Sequence, residues 1–541
     1  MPSSMRAERL LGIAAAIVVA ALVLPPLLAA VAASVGADFA PLHRFDVVGN
    51  TLLLGVTATV AAVAGGCLLA LAVVAGVPGR AMLERLIVMP LYLTPLLTAI
   101  GWSWLASPRS GLINLVMRGA FGPDFAVNVV SPAGVIIVSA LAMMPLPFLL
   151  ISDALSGMDA SLLEAARVHG AAPRTVLWRV TLPLIAPAAL ASALLVFVQA
   201  IGLFSVPAVL GMPADFSVAT TEIFRLLETY PPRVGEAASW GLLLLAVTAL
   251  LTFAQSRLLQ RRSFATISGK AFRPPTSPPR ARVFRAALAW SYVLLATALP
   301  LIALLFAASV AFVSGDLRLT RFSTVHFDNV LFAYPKTWLA ARNSVLLGAL
   351  TATIVCFLGL AVSWVVLRTR QAGRTVIDQL SMVPLSVPAM VFALGLLWVY
   401  VRLPVPIYGT IAVLLIAYVT HYLPFGVRAT SAALRQLHPE LEEAARVAGA
   451  TWLATMRRIT VPLLKPTMIS AWALLFIMAM QEVSSSILLY SSSSIVLSVA
   501  VFDLWENGNP SDVAALGVVQ LAASFVVVSL VLRRRHRSAF L

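Results

Sequence analysis

Charged side chains are scarce in this chain of 541 residues. Lys, Arg, Asp and Glu together make up 11 % of the sequence, whereas soluble domains average about 25 %. Hydrophobic residues make up 60 %, and the mean hydropathy is +0.95. A soluble chain of this length would need a charged surface over several domains. The composition therefore excludes a soluble enzyme and a disordered chain, and it indicates a polytopic membrane protein.

Cysteines and the common catalytic motifs are also nearly absent. Cys67 and Cys356, the two cysteines, lie in apolar runs, where cysteine behaves as a small hydrophobic residue. This excludes a disulfide-rich secreted domain. The sequence has no Gly-x-x-x-x-Gly-Lys-Ser/Thr loop, no zinc-type spacing of Cys or His, and no nucleophile–base pattern. We therefore expect no catalytic residue, no metal site and no cofactor, so the chain is not predicted to be an enzyme.

The positions of the 38 basic residues point to a membrane and not to nucleic acid. They lie mainly between apolar runs, and no basic stripe with interleaved aromatic residues is present. A helix needs about 20 apolar residues to cross a bilayer, so the sequence predicts an all-α protein with about twelve transmembrane helices. The predicted spans are 10–33, 50–75, 85–106, 131–151, 184–210, 237–258, 286–313, 343–367, 377–401, 408–427, 464–490 and 513–532.

The distribution of Lys and Arg predicts the orientation. Twelve spans place both termini on one side, and that side carries 28 of the 38 basic residues. The positive-inside rule then makes both termini cytoplasmic, in a multi-pass protein of the cell (inner) membrane. The start of the chain, with Arg6 and Arg9 before an apolar run, resembles a secretory signal. That run continues to about Ala33, which is too long for a signal core, so we expect an uncleaved first span.

The sequence repeats itself. Asn50-Thr51 recurs as Asn343-Ser344 with similar flanking residues, and Pro90 pairs with Pro384. Such repetition predicts two homologous halves of six spans each, related as parallel repeats. We expect a first transmembrane domain at 1–256, a basic, Pro-rich cytoplasmic linker at 257–285, and a second transmembrane domain at 286–541.

One loop recurs at an offset of 279 residues and is the most informative feature. The first loop (residues 161–183) contains Glu164-Ala165-Ala166 and Gly170, and the second loop (residues 440–462) contains the same pattern. The helix-favouring start and the later glycine predict a short helix, a turn and a second helix. Pro183 and Pro462 are then expected to begin the next span. One copy could be an ordinary amphipathic loop, but two matched copies favour a shared function.

The repeated loop resembles the coupling loop of binding-protein-dependent ABC importers, with Val180 and Val461 as small departures from the family pattern. The resemblance covers nearly the whole chain, and each half resembles one permease subunit. It implies that each loop docks on one copy of a separate ABC ATPase, which binds the ATP, so two ATPase copies are partners. It also implies a periplasmic or lipid-anchored solute-binding protein. The implied docking residues are Glu164, Ala165, Ala166, Gly170, Pro183, Glu443, Ala444, Ala445, Gly449 and Pro462.

A fused pair of permease halves narrows the resemblance to a few branches of this family. Fused chains are familiar in the iron(III), thiamine and aminophosphonate branches. The stretches 204–211, 230–232, 486–490 and 504–508 resemble the iron(III) branch. The resemblance therefore implies an iron(III) importer permease, with thiamine, an aminophosphonate or another small solute as alternatives.

Polar residues within the predicted spans are candidates for the translocation pathway. Ionisable groups inside a membrane commonly mark such pathways. On a continuous helix Glu482, Ser485, Ser486 and Tyr490 would share a face, and oxygen ligands suit a hard cation such as iron(III). Hydrogen bonding between helices is the alternative; we favour it for the serines and favour a cavity role for Glu482. The candidate pathway residues are Gln481, Glu482, Ser485, Ser486, Tyr490 and His421.

Two other classes of protein compete with the permease interpretation. A secondary transporter could also contain two six-span repeats, but it has no reason to keep the repeated loop. A membrane-embedded enzyme would need a recurring set of acids, histidines or metal ligands, which the sequence lacks. In the third span of each half, Pro90 and Pro95, and Pro384 and Pro388, predict kinked helices.

Overall fold

The structure is a computed structural model that describes residues 3–158, 162, 165–166, 168–260, 279–311, 321–402 and 407–538. Over these ranges the fold is helical, and its β-structure is limited to one isolated bridge between Val310 and Phe322. The prediction of an all-α protein is confirmed. Most of the predicted linker, residues 261–278, lies outside the described residues.

The described helices follow in chain order. Those of the first half are α1 (Ser3–Ser34), α2 (Phe45–Val74), α3 (Arg80–Val88), α4 (Pro95–Ala106), α5 (Leu112–Phe121), α6 (Pro132–Met143), α7 (Pro145–Ser156), α8 (Pro173–Val176), α9 (Leu182–Ile201), α10 (Ala219–Glu228) and α11 (Val234–Gln260). Those of the second half are α12 (Pro279–Val293), α13 (Leu299–Ala308), α14 (Val325–Asp328), α15 (Thr337–Arg368), α16 (Arg374–Met382), α17 (Ala389–Arg402), α18 (Ile411–Gln436), α19 (Glu440–Val447), α20 (Trp452–Thr455), α21 (Val461–Met480), α22 (Ser486–Leu489), α23 (Leu497–Glu506) and α24 (Pro510–Ser538).

The membrane-spanning segments match the predicted number. Within the described ranges, nine helical segments are long and apolar enough to cross a bilayer. Three pairs of bent helices raise the number to twelve if each pair counts as one span. The fold is thus that of a polytopic membrane protein, as the composition predicted.

The third span of each half is broken, not merely kinked. Helices α3 and α4 meet at 96°, and α16 and α17 meet at 106°. A 3₁₀ turn with Pro90 or Pro384 near its start ends the first helix of each pair, since proline lacks the amide donor that a continuing helix needs. In the first half the chain restarts at Pro95, where the Thr94 hydroxyl accepts a hydrogen bond from the Leu97 amide at 2.9 Å. The predicted kinks are therefore bends of about a right angle.

The described helices form two compact units that differ from the two halves of the sequence. One unit contains Met1–Ala40, Ile223–Leu245 and Phe327–Leu541. The other contains Pro41–Glu222 and Ala246–His326. The first helix of each half therefore packs in the unit formed mainly by the other half. The boundaries at 257 and 286 separate the two repeats of the sequence. In the fold, the first span of each repeat packs with helices of the other repeat.

A matched glycine–proline contact holds each exchanged helix. In one unit a Cβ atom at Gly395 would lie 1.9 Å from the carbonyl oxygen of Pro26. In the other unit a Cβ atom at Gly101 would lie 2.7 Å from the carbonyl oxygen of Pro300. Real Cβ atoms do not approach so closely, so only glycine permits this backbone contact between helices.

The repeated Asn-Thr/Ser pair fixes the start of the second span in each half. In one unit the Asn50 amide donates to the Ser217 carbonyl at 3.1 Å, and the Thr51 hydroxyl accepts from the Ala219 amide at 2.8 Å. In the other unit Asn343 donates to the Ser493 and Ile495 carbonyls at 3.1 and 3.0 Å. The Ser344 hydroxyl accepts from the Leu497 amide at 2.7 Å. This sequence repeat therefore has a structural role.

The fifth span of the second half ends earlier than predicted. Helix α21 ends at Met480, and a turn leads to the one-turn helix α22. The prediction that Glu482, Ser485, Ser486 and Tyr490 share one face of a continuous helix is therefore wrong. The chain instead leaves the helix at the polar run, where side-chain hydrogen bonds can satisfy the backbone groups that the broken helix leaves open.

Candidate functional site: the repeated loops and the Glu482 cluster

The two repeated loops have the same backbone geometry. Gly170 and Gly449 have positive φ angles of 77° and 82°. The Ala171 amide donates to the Ala166 carbonyl at 3.0 Å, and the Ala450 amide donates to the Ala445 carbonyl at 2.9 Å. This bond over five residues, closed by a left-handed glycine, is a standard end of an α-helix. The helix–turn–helix predicted from the sequence is present in the second loop and in the described part of the first.

Each loop continues rigidly into a span. After the glycine, a short helix (α8 or α20) passes through a π-helical turn, at Leu177–Thr181 or Met456–Thr460, into α9 or α21. Pro183 and Pro462 are the second residues of those long helices. A proline ring clashes with the carbonyl four residues earlier, and the wider π-turn just before it relieves this crowding. A force on either loop is thus applied to the end of a membrane helix.

The predicted docking residues do not all face outwards. Ala165, Gly170, Glu443, Ala444 and Gly449 are exposed. Ala445 is buried, so its side chain faces the rest of the protein and not solvent. Ala166 is half-buried and packs against an apolar cluster, and Pro183 and Pro462 are exposed. Glu164 lies outside the described residues.

An exposed apolar pair on each loop was missed by the sequence motif. Val168 and Val447, which correspond at the offset of 279, are 85 % and 90 % exposed. Leu162 and Leu441, which also correspond, are 48 % and 46 % exposed. Apolar residues this exposed at matched positions are typical of a contact surface. Comparison of the two loops beyond Glu-Ala-Ala would have identified them.

The second loop also contains an acid that the motif did not identify. Glu442, directly before Glu443, is buried at 7 % exposure. Its carboxylate accepts a hydrogen bond from the Thr460 hydroxyl at 3.2 Å and forms an ion pair with Arg368 at 3.5 Å. Glu442 therefore faces the membrane helices, whereas Glu443 faces outwards.

The Glu482 carboxylate is fully hydrogen-bonded. Its Oε1 accepts from the Ser485 amide at 2.9 Å and from the Ser485 hydroxyl at 3.1 Å. Its Oε2 accepts from the Tyr422 hydroxyl, on α18, at 2.8 Å. Both carboxylate oxygens therefore have hydrogen-bond donors. Glu482 thus joins the turn after α21 to the neighbouring helix α18.

The backbone carbonyl of Glu482 is a second junction. It accepts hydrogen bonds from the hydroxyls of Ser498 at 2.7 Å, Ser486 at 3.0 Å and Tyr418 at 3.3 Å. In the first half, the Thr220 hydroxyl donates to the carbonyl of Leu203, the counterpart of Glu482, at 2.8 Å. The carbonyl contact is therefore common to both halves, and the carboxylate contacts belong to the second half alone.

The remaining predicted pathway residues lie at different places. His421 packs against Tyr422 with ring centroids 5.0 Å apart, and its Nδ1 has no hydrogen-bond partner among the described residues. Gln481 ends α21. Tyr490 directly follows α22 and lies near three other acids, Asp503, Glu228 and Glu506. Burial of its hydroxyl, and then the negative charges of these acids, raise the pKa of Tyr490. The structure thus brings His421, Ser485 and Ser486 to Glu482. The Tyr490 amide donates to the Ser486 carbonyl at 2.9 Å, but the Tyr490 hydroxyl lies near the other acids.

The polar groups do not form a metal-binding cluster of the common type. Over the described ranges, no group of three or more His, Cys, Asp and Glu side chains is placed to hold a metal ion. The oxygens around Glu482 are one carboxylate, two phenols and several hydroxyls and carbonyls. These groups are hydrogen-bonded to one another.

Comparison with known proteins identifies the family. The model of the binding-protein-dependent transport system inner membrane component matches residues 62–264 and 345–537, one match in each half. A ferric transport system permease protein, FbpB, of Actinobacillus pleuropneumoniae is 24 % identical over 446 residues, which are 82 % of this chain and 64 % of the relative. This chain thus spans less than two thirds of that relative's length.

Two further relatives match different shares of the chain. An Fe(3+)-transport system permease protein, FbpB 2, of Haemophilus influenzae is 26 % identical over 87 % of this chain and 85 % of the relative. A permease protein named for 2-aminoethylphosphonate transport, PhnV, of Salmonella typhimurium is 30 % identical over 38 % of this chain and 77 % of the relative. The two matches to one family model, together with two repeated loops and the nine to twelve candidate spans of the described residues, agree with the division into two homologous halves. The chain therefore belongs to the family of binding-protein-dependent transport system inner membrane components.

Proposed function

We propose that this chain carries both permease domains of an ABC importer, coupled through its first and second loops to two copies of a separate ATPase. The observation that carries this proposal is the matched geometry of the loops. Each presents an exposed Leu and an exposed Val beside a left-handed glycine, and each is continuous with a span. A secondary transporter has no use for two such surfaces. The permease itself does not hydrolyse ATP on this proposal.

We infer that the solute is iron(III), delivered by a periplasmic or lipid-anchored binding protein. The support is the naming of two relatives for ferric transport, each matched over more than four fifths of this chain. The relative named for 2-aminoethylphosphonate transport matches 38 % of the chain, which supports an aminophosphonate as the alternative. We place the protein in the inner membrane with both termini cytoplasmic, because 28 of the 38 basic residues lie on that side.

We further propose that Glu482 contributes to the translocation pathway. Its negative charge in the membrane region of the second half has no counterpart in the first half, where Leu203 occupies the position. A single carboxylate is suited to a cationic solute. Its hydrogen bonds to Tyr422 and Ser485 would hold the charge in place while the solute passes.

Reconstitution tests the proposed function. We expect the purified chain to show no ATP hydrolysis alone, and to recruit an ATPase subunit from its own host when the two are co-expressed. In proteoliposomes with the binding protein, the complex should take up iron(III) with ATP and should take up 2-aminoethylphosphonate at background rate. ATP-dependent turnover by the chain alone, or no association with the ATPase, would contradict the importer proposal. Uptake of 2-aminoethylphosphonate without uptake of iron(III) would instead identify 2-aminoethylphosphonate as the solute.

A further inference from the structure

The second loop is anchored to the membrane helices by a buried ion pair. The side chains of Arg368 and Glu442 are 11 % and 9 % exposed, and Arg368 Nε lies 3.5 Å from Glu442 Oε2. Arg368 is the last residue of α15, and Glu442 is in the first turn of α19. A pair buried to this degree is screened much less than a surface pair.

Arg368 also binds the end of a second helix. Its Nη2 donates to the carbonyls of Leu434 and Leu437 at 2.9 and 2.7 Å, at the end of α18. On the other side of the pair, Glu442 accepts from Thr460, the last residue of the π-turn before α21. Three long helices and the loop helix α19 therefore meet at two charged side chains. The planar guanidinium can serve the carbonyls and the carboxylate together.

The first loop lacks this anchor. At the offset of 279 residues Leu163 stands in place of Glu442, and at the offset of 293 residues Ala75 stands in place of Arg368. Ala166, Ala171 and Val176 of that loop instead pack against an apolar cluster that contains Val73, Val74, Val77, Leu155 and Met158. Apolar packing is non-directional, whereas a buried ion pair with fixed hydrogen bonds restrains orientation.

The distance between Arg368 and Glu442 can also become shorter. Arg368 Nε is buried and has no hydrogen-bond partner among the described residues. Its distance of 3.5 Å to Glu442 is about 0.7 Å longer than a charge-assisted hydrogen bond. A small displacement of α19 towards the helices would convert the contact into such a bond. A displacement in the other direction would leave two charges buried and unpaired, which is strongly unfavourable.

We infer that Arg368 and Glu442 are positioning residues that transmit movement of the second loop to α15, α18 and α21, and that the two loops are therefore mechanically unequal. This inference rests on the proposed function, because it assigns a mechanism to loops that dock on an ATPase. Arg368 and Glu442 do not contact the ATPase or the solute; they act by fixing α19 on the membrane helices. The second loop is the stiff link, whereas the described residues Ala166, Ala171 and Val176 of the first loop pack in an apolar cluster.

The test compares single and double replacements in the complete importer. Glu442→Leu and Arg368→Met each leave a buried charge unpaired. The double variant Arg368→Met/Glu442→Leu removes both charges, so that both positions are apolar like their counterparts Leu163 and Ala75. Arg435→Met, which removes an exposed arginine near the end of α18, is the matched control. Each complex is assayed for ATPase co-purification, melting temperature, and solute transported per ATP hydrolysed.

We expect every variant to co-purify with the ATPase, because the exposed face of the loop is unchanged. The single variants should melt at lower temperature, and the double variant should recover much of that loss. The ratio of solute to ATP should fall about fivefold or more in both singles and in the double variant, and it should stay at the wild-type value in Arg435→Met.

Recovery of both melting temperature and transport ratio in the double variant would overturn the inference, since it would show that the pair serves stability alone. A wild-type ratio in the single variants would overturn it as well. Failure of the unmodified chain to co-purify with the ATPase would instead overturn the proposed function, so the two failures are distinguishable.

Discussion

At the scale of single residues, Glu482 combines a charge with a structural junction. Its carboxylate accepts three hydrogen bonds from Tyr422 and Ser485. Glutamine has the same shape: its oxygen can accept from Ser485, and its amide can donate to the tyrosine oxygen. Leucine, the residue that the first half has at this position, can do neither. These two replacements therefore separate the effect of the charge from the effect of the hydrogen bonds.

We predict that Glu482→Gln lowers uptake of the solute and leaves the melting temperature nearly unchanged, because only the charge is lost. Glu482→Leu should lower both, since each donor left unpaired in a buried site costs about 1–3 kcal/mol. Uptake and thermal unfolding in detergent measure the two effects, with ATPase co-purification as the control for assembly. Normal uptake by Glu482→Gln would assign the residue to hydrogen bonding between helices.

At the scale of secondary-structure elements, the repeated loops depend on one backbone conformation. Gly170 and Gly449 have positive φ, yet no atom lies within 4 Å of a Cβ built on either residue. A side chain would therefore fit in the available space, and only the backbone conformation opposes it. Asparagine adopts this conformation more readily than other residues with a side chain, and β-branched residues adopt it least.

We predict that Gly449→Val impairs coupling and that Gly449→Asn does so much less. The strain of a β-branched residue in this conformation is about 1–3 kcal/mol, enough to reorient α19 while the spans stay inserted. Membrane level, ATPase co-purification and uptake should be measured together for both variants, and for the same pair at Gly170. Equal uptake by the valine and asparagine variants would show that the left-handed turn is not needed for coupling.

The elements also show what sequence reasoning could and could not predict. The loops were predictable because the motif occurs twice, and because glycine and proline determine the backbone conformation at their own positions. The end of α21 was not, since Gln481, Glu482 and the residues after them could continue a helix. What ends it there is a set of contacts with Tyr418, Tyr422 and Ser498, which are distant in sequence. The buried side of the second loop was missed for the same reason: Arg368 and Glu442 are 74 positions apart.

At the scale of the whole molecule, the exchange of first spans could not be read from a repeat. Sequence similarity shows which segments correspond, and it does not show which copy each segment packs against. Gly395 and Pro26 are in different halves of the sequence but in one compact unit. The unit formed mainly by the second half contains α1 of the first half. The unit formed mainly by the first half contains α12 and α13 of the second half.

This exchange gives a prediction for a divided chain. If the protein is made as two polypeptides, 1–270 and 271–541, we expect them to accumulate in the membrane together and each to be depleted when expressed alone. The fragment 271–541 alone lacks α1, so the backbone of Gly395 loses its contact with Pro26, and Val362, Val365 and Leu423 lose their packing against Val19 and Val23 of α1. Packing between transmembrane helices depends on such close contacts, because lipid offers no comparable fit.

The matched control is co-expression of 271–541 with a first fragment that lacks residues 1–40. That fragment keeps the other spans of the first half but not α1, so we expect it to leave 271–541 at the low level seen without a partner. Membrane levels by quantitative blotting, and uptake with the ATPase and binding protein present, measure the outcome. If 271–541 accumulates equally with either first fragment, α1 does not stabilise the unit that contains Phe327–Leu541. The exchange of first spans would then contribute nothing to the stability of the protein. If only the fragment with α1 restores level and uptake, the first span is an integral part of the unit that contains the second loop.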